Sequence, residues 1–362
     1  MRLLIDLSAY QSCQSGVFIY ADRLIKGLRD NEAKNIFLLC NKNIFEEMRK
    51  RYPEFKCIKS NVNNEGRLNI LKNSITWTKE INKIDCDAVF SPQFYSTYFF
   101  CNKPVFQTFH DLHALSVNGI KERLIYAFCL PIIIARSRKI ITISDYVKKE
   151  ILKKYVFFNR KKFHTIYNAV MICENKGKRI ISQKYILYVS TLYKYKNVIT
   201  LLKAFFLIKD EIEHKLIIIG KSPDQSWEKE AFPFIKQNKL DNRIIHISES
   251  VSDEALANYY ANADLLVHPS TKEGFGFTPI EAAIHKIPVI TNKDTALYET
   301  TKGLLNYYTP STDEKELAEV MKKVLRHPQR MKELEKISDI FKTEYDYRSQ
   351  AEKLYNYIIS NI

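Results

Sequence analysis

The chain has 362 residues, 46% of them hydrophobic and 12% aromatic, which supplies cores for two ordinary domains and excludes a disordered or fibrous protein. Seven cysteines at 13, 40, 57, 86, 101, 129 and 173 are odd in number and form no C-x-x-C pair, which argues against a disulfide framework or a zinc site and fits a reducing compartment. The net charge of +15 belongs wholly to the first half: residues 1–180 carry 31 basic and 16 acidic side chains, residues 181–362 carry 25 of each.

Apolar strands alternate with helical patterns throughout, predicting an α/β chain with parallel sheets. In the first half, strands are predicted at 2–6, 36–40, 55–58, 87–90, 104–109, 140–143 and 163–166. No secretory leader is expected, because Asp6 interrupts the start after Leu3-Leu4-Ile5. The first strand ends near Asp6–Ser8, and the loop Gln14-Ser15-Gly16 opens an amphipathic helix from about Val17. A glycine at such a junction admits a phosphate or an acceptor closely, and an ordinary turn explains Gly16 equally well. His110-Asp111-Leu112-His113 follows the strand Val105–Phe109, so a His-Asp pair stands at the carboxyl end of a strand, where ligands of open α/β sheets bind. The longest apolar run, Leu124–Ala135, falls short of the roughly 20 residues of a membrane span and reads as a buried helix carrying Pro131. Ser144 is placed to cap a helix beginning near Tyr146.

Residues 171–184, which carry Lys176, Lys178, Arg179 and Lys184 together with Asn175 and Gly177, are predicted as an interdomain linker. Strands resume at 185–189, 215–219, 244–247, 264–267 and 288–291. The loop Ser190–Asn197 follows the first of these, Gly220 ends the second, and Ser252 precedes a helix as its cap. After the strand Leu265–Val267 comes Glu273-Gly274-Phe275-Gly276-Phe277-Thr278-Pro279-Ile280-Glu281, two carboxylates eight positions apart around a glycine-rich turn. With only 9 glycines in 362 residues, two in this turn stand out. A strand–loop–helix junction presents backbone N–H groups and a positive helix end to a phosphate, and carboxylates accept hydrogen bonds from sugar hydroxyls. Thr278 is expected as the N-cap, with Pro279 at the first helical position and Glu281 closing a capping box, which is a purely structural reading of that carboxylate. From Pro328 to Ile362 the pattern is helical.

Residues 273–281 resemble the E-x7-E signature of retaining GT-B glycosyltransferases, family 4, the mannosyltransferase-like group 1. His110-Asp111-Leu112 is similar to the family's H-D-L motif, and Ser190–Asn197 to its G-T-L-x-x-R-K-N loop, with Ser190 in place of Gly and Tyr195 in place of Arg. That replacement removes a bidentate phosphate contact and leaves Lys194 as the candidate second cation. Asn168-Ala169-Val170 and Ile287-Pro288-Val289-Ile290 resemble further family elements, and Lys286 stands where a Gly usually ends the helix, so a different helix end is expected.

The resemblance implies two Rossmann-like domains facing a cleft: an acceptor-binding domain over 1–170, the linker 171–184, a donor-binding domain over 185–340, and a C-terminal helix in 341–362 crossing back to the N-terminal domain. It implies transfer of a hexose, mannose before others, with retention, from a GDP- or UDP-linked sugar to a glycan acceptor in cell-surface polysaccharide or lipopolysaccharide synthesis. The basic N-terminal domain and the lack of an expected membrane span point to an acceptor on a lipid carrier. Lys196 and the N–H groups near Gly276–Thr278 would then face the diphosphate, Glu281 the ribose and Glu273 the sugar. Asn197, Gly220, Gly274, Phe275 and Phe277 would complete the donor site, His110 would act by the reacting sugar, and Ser15, Gly16 and Asp111 would lie on the acceptor side. Asp85-Cys86-Asp87 has the D-x-D spacing of metal-dependent GT-A enzymes, but it precedes a strand in the wrong half, and no metal is expected.

The stretch 121–162 holds 12 basic and 3 acidic residues, densest at Lys148, Lys149, Lys153, Lys154, Arg160, Lys161 and Lys162. This predicts an anionic partner, read as a membrane surface bordering the cytoplasm, while a merely solvated Lys-rich face also accounts for it. No motif points to nucleic acid. A sugar-nucleotide epimerase, a phosphorylase or a non-catalytic nucleotide-sugar-binding protein would share these features.

Overall fold

The computed structural model describes residues 1–13, 15–61, 70–94, 96–112, 120–171 and 181–362; Gln14, His113 and most of the predicted linker lie outside them. The chain divides into two compact units, Met1–Ala169 with Tyr345–Ile362, and Val170–Glu344.

The first unit runs β1 (Leu3–Leu7), α1 (Gly16–Asp30), β2 (Ile36–Cys40), α2 (Phe45–Arg51), β3 (Lys56–Lys59), α3 (Ile70–Lys83), β4 (Ala88–Ser91), β5 (Val105–Phe109), α4 (Ile120–Arg136), β6 (Lys139–Thr142), α5 (Asp145–Lys154) and β7 (Phe163–Thr165). Its sheet has the order β3-β2-β1-β4-β5-β6-β7, with every pair parallel. The second unit runs β8 (Tyr185–Val189), α6 (Val198–Ile208), β9 (Lys215–Ile219), α7 (Phe232–Gln237), β10 (Ile244–Ile247), α8 (Asp253–Asn262), β11 (Leu265–His268), α9 (Phe277–Ile284), β12 (Val289–Asn292), α10 (Leu297–Thr300), β13 (Asn306–Tyr308), α11 (Glu314–Arg326) and α12 (Met331–Glu344). Its parallel sheet has the order β10-β9-β8-β11-β12-β13.

Both sheets are doubly wound, and the direction of winding reverses between β1 and β4 in one and between β8 and β11 in the other. Covering both faces explains why central strands such as Leu3–Leu7 and Val105–Phe109 are buried at every position. In the second unit, Leu201, Leu202, Phe205, Leu216, Ile218, Val267, Leu317 and Met321 form one continuous core. Each such side chain contributes about 1.5–3 kcal/mol when fully buried.

Every predicted strand appears, shifted by a residue or two at most, while β13 escaped prediction because Asn-Tyr-Tyr carries no run of apolar residues. Ser15, Ser144 and Ser252 cap α1, α5 and α8, each accepting a hydrogen bond from an N–H three residues on. Two expectations are corrected. The apolar run in α4 is buried on one face only: Cys129, Leu130, Ile133 and Ile134 pack inward, whereas Leu124 and Phe128 are 66% and 65% exposed. The helix before β12 ends as a glycine-terminated one would, because Lys286 itself takes the left-handed conformation, φ 64°, and donates its N–H to Ala283 O.

Asp85 and Asp87 both pair with Arg2, at the amino ends of β1 and β4, so the D-x-D spacing serves the scaffold. The last helix, α13 (Tyr347–Ile359), belongs to the first unit and packs along α1. Tyr347 OH donates to Asp30 Oδ2 at 2.6 Å, Asn31 Nδ2 donates to Arg348 O at 2.9 Å, and the Tyr357 ring stacks on His164 at 4.1 Å. The helices touch at Gly27, where an added Cβ would lie 2.4 Å from Tyr347 O and 2.5 Å from Ala351 Cβ. Gly27→Leu is therefore expected to cost about 1–3 kcal/mol, read as a lowered melting temperature. Gly16→Ala, whose new Cβ meets nothing within 4 Å, should leave the melting temperature unchanged or slightly raised.

Candidate active site

In a doubly wound sheet the loops on either side of the winding reversal splay apart beyond the carboxyl ends of their strands, leaving a crevice for ligands. In the second unit those loops follow β8 and β11, and they carry Lys196 and Glu273. Thr271 N donates to Tyr195 O at 2.8 Å, and the hydroxyls of Thr271 and Ser270 reach the same carbonyl. Asn197 holds the left-handed conformation, φ 60°, that joins a short 3-10 turn at Lys194–Lys196 to α6. Its Nδ2 donates to Pro269 O and Ser311 O, and its Oδ1 accepts from Thr200. The expected ligand Asn197 thus has its side-chain amide committed to the scaffold.

Lys196 Nζ lies 2.5 Å from Glu273 Oε1, and His268 Nε2 lies 2.8 Å from the same oxygen. Glu273 Oε2 takes no bond among the described residues. Burial raises the Glu273 carboxyl, but the Lys196 charge and the His268 hydrogen bond outweigh it and bring the group down to about 2. An ammonium has three N–H donors, so Lys196 keeps donors beyond the one aimed at Glu273.

Lys194, the expected second cation, is paired with Glu230 Oε1 at 2.5 Å and is 75% exposed along its side chain. Its ammonium is held by a carboxylate outside the glycine-rich turn, and the position of the missing Arg is the next residue along. That position carries Tyr195, whose ring stacks on Tyr193 at 5.6 Å and lies 5.2 Å from Lys196 Nζ.

The glycine-rich turn differs from the expected cap. Helix α9 begins at Phe277, two residues before Pro279, and its N-cap is Gly276 at φ 89° and not Thr278. Glu281 is therefore the fifth helical residue, and the capping-box reading falls. Glycine is required at 276 because φ 89° is a conformation that side-chain-bearing residues rarely adopt, and a Cβ there would in addition meet Leu297 Cδ2 at 2.2 Å. Pro279 is tolerated at the third helical position because N–H groups of a first turn have no intrahelical acceptor. Gly274 lies in the turn itself. Phe275 is buried, with its carbonyl accepting from Thr300 Oγ1 at 2.6 Å and its ring 5.1 Å from Phe277, so it packs the turn from beneath. Gly220 brings the ends of β8 and β9 together: a Cβ there would lie 1.9 Å from Ser190 O.

In the first unit, His110 follows β5 and Nε2 lies 2.7 Å from Pro92 O, after β4. A carbonyl only accepts, so the proton is on Nε2 and Nδ1 is the acceptor. Burial lowers the His110 pKa, against the Pro92 bond and the Asp111 charge. The Tyr20 ring of α1 meets His110 edge-on at 4.7 Å. Asp111 is exposed, Ser15 caps α1, and open space surrounds Gly16.

Two buried polar residues drew no role from the sequence. Asp6, at the end of β1, accepts from Ser8 N and Oγ on one oxygen and from Tyr98 OH on the other, and burial raises its pKa despite those bonds. His268 ends β11 and is 3% exposed along its side chain. A histidine closing an otherwise apolar strand five residues before Glu273 was the available signal.

Comparison with known proteins covers most of the chain. Residues 174–339 match the family described as Glycosyl transferases group 1, and residues 14–172 match Glycosyltransferase Family 4. The chain is 28% identical over 223 residues to the O-antigen chain mannosyltransferase RfbU of Salmonella typhimurium, a match spanning 61% of each protein. It is 28% identical over 247 residues to the capsular polysaccharide biosynthesis glycosyltransferase CapM of Staphylococcus aureus, covering 63% of this chain and 62% of that one. The chain thus spans about three fifths of the length of these curated relatives. Among solved structures, Anabaena HepE in complex with UDP and glucose superposes with a TM-score of 0.77 at 15% identity over 99% of this chain and 100% of that one.

Because Glu273 has a lower pKa in the fold than its ordinary 4.5, the stability it contributes is present above pH 4.5 and is lost as pH falls toward about 2. The difference corresponds to about 3 kcal/mol. Glu273→Gln should flatten the fall of unfolding free energy between pH 5 and pH 3, measured by urea titration. It should also lower stability at pH 7, where Lys196 loses its buried counter-charge.

Proposed function

The chain belongs to the group 1, family 4 glycosyltransferases of GT-B fold, and from that premise we propose that it transfers a hexose, mannose before others, from a GDP- or UDP-linked sugar to a glycan acceptor on a lipid carrier, with retention at the anomeric carbon. The observation carrying this reading is the Lys196–Glu273 pair at the winding reversal of the second unit, beside the amino end of α9. As the bond between anomeric carbon and diphosphate breaks, negative charge grows on the leaving phosphate. Lys196 and the first N–H groups of α9 are the groups proposed to meet it. Glu273 Oε2 would accept from a sugar hydroxyl, and Glu281 from the ribose.

The incoming acceptor hydroxyl gives its proton to an oxygen of the departing diphosphate, so no protein carboxylate need bond to the sugar. His110, with its proton on Nε2, keeps Nδ1 as a hydrogen-bond acceptor, and the role beside the reacting sugar is carried over from the family motif. Mannose and surface-polysaccharide synthesis draw support from the names of the two curated relatives.

Thermal shift and calorimetry with GDP, UDP, GDP-mannose and UDP-glucose test the donor half. The full-length protein should bind one nucleotide with its sugar, and Lys196→Ala and Glu281→Gln should each weaken that binding about tenfold. Unchanged affinity in both variants would sink the assignment, and binding without turnover on any lipid-linked acceptor would point to the non-catalytic alternative.

The acceptor half rests on the first unit. No helix among the described residues is long and apolar enough to cross a membrane. The outer face of α4 instead exposes Leu124 and Phe128, and the turn after α5 exposes Val156 and Phe157. Lys149, Lys153, Lys154, Arg160 and Lys161 are exposed in the same stretch, and the Lys162 ammonium, lowered by burial and by Lys139 and Arg138, marks where like charges crowd. Apolar side chains flanked by lysines fit a bilayer interface with anionic headgroups, at about 1 kcal/mol per basic residue. Replacing Lys148, Lys149, Lys153 and Lys154 with Gln should cut sedimentation with phosphatidylglycerol-containing vesicles at least tenfold, with no loss on neutral vesicles. Unchanged binding to anionic vesicles would end the membrane proposal.

A further inference from the structure

We propose that His268 is a positioning residue of the donor site, holding the Glu273 carboxylate so that one oxygen is closed and the other is presented to the sugar. The inference rests on the donor-site reading above and adds to it a residue outside the E-x7-E signature. Three facts carry it. Lys196 Nζ and His268 Nε2 converge on the same oxygen, Oε1, at 2.5 and 2.8 Å. Oε2 takes no bond among the described residues. The His268 side chain is 3% exposed and its Nδ1 is buried without a hydrogen-bond partner among the described residues.

A carboxylate oxygen only accepts, so His268 donates through an Nε2 proton, and a buried Nδ1 with no acceptor nearby carries only its lone pair. The ring is thereby held as one tautomer by Glu273 itself. Lys196 alone would not suffice to hold Glu273. Its flexible stem permits the carboxylate to rotate and offer either oxygen, whereas the imidazole rides on β11, fixed by the strand ladder to β12 and β8. A rigid donor and a mobile one on Oε1 together fix the carboxylate plane. They also let Lys196 turn its remaining N–H groups to a diphosphate without freeing Glu273. The role is positional: His268 touches Glu273 and not the reacting atoms.

The test separates this role from simple support of the loop. In 15N-histidine-labelled full-length protein at pH 7.5, with His268→Gln used for assignment, the His268 proton is expected on Nε2. A proton on Nδ1 would overturn the inference without touching the donor-site reading. With whichever of GDP and GDP-mannose, or UDP and UDP-glucose, the wild type binds, His268→Leu should leave nucleoside diphosphate affinity within about twofold. The same variant should weaken the nucleotide sugar about tenfold and lower kcat by at least as much. His268→Gln, whose amide N–H can replace Nε2–H, should recover most of both. Equal loss of diphosphate and nucleotide-sugar binding, or failure of the Gln variant to recover, would assign His268 to loop stability alone. A wild type that binds none of the four compounds would refute the donor-site reading and with it the presentation of Oε2, while the tautomer would still report whether the clamp on Oε1 exists.

Discussion

Keeping a buried carboxylate ionised is the constraint around which the second unit is organised. Glu273 is almost enclosed, and an unpaired charge there would cost several kcal/mol. It survives because two donors reach one of its oxygens, Lys196 from the loop after β8 and His268 from the end of β11. Those two strands are neighbours only because the sheet order reverses between them. The topology thus precedes the chemistry: without the β8–β11 pairing, the loops carrying Lys196 and Glu273 would not meet.

Much of the remaining polar structure holds these loops still. Asn197 spends its amide on Pro269, Ser311 and Thr200, and Tyr195 O gathers bonds from Ser270 and Thr271. Gly276 turns the chain into α9 with Leu297 packed against it. Under the proposed donor-site reading such rigidity serves the chemistry, because dipoles already in place need no reorganisation as negative charge grows. The first unit shows a parallel economy on a smaller scale. Asp6 at the end of β1 collects Ser8 and Tyr98, and His110 after β5 is anchored to the loop after β4.

Legibility in the sequence followed the range of the interactions. Strands were readable because a parallel strand covered on both faces must be apolar almost throughout, and β13 was not because its three residues lean on neighbours for burial. Helix caps at Ser144 and Ser252 were readable because a cap is a contact three residues long, whereas Ser15, read only as part of a loop, proved to cap α1. The cap of α9 was misread: Thr278 and Pro279 satisfy the local rules, but the chain turns into the helix two residues earlier, through Gly276 in the left-handed conformation. Lys286 was misjudged for the same reason, since surrounding structure imposes a left-handed residue that local preference disfavours by about 1 kcal/mol.

The sequence by itself determined the α/β class, the strand rhythm, and the residues that announce the family: Glu273, Glu281, Lys196 and His110. These follow from period, composition and short motifs, which a chain carries locally. Only the tertiary structure decided which charges share an oxygen. It gave Lys194 to Glu230, Lys196 and His268 to Glu273, and the D-x-D carboxylates to Arg2. Lys196 and Glu273 stand 77 positions apart, and a pairing of that range is set by strand order and close packing, which no local pattern encodes.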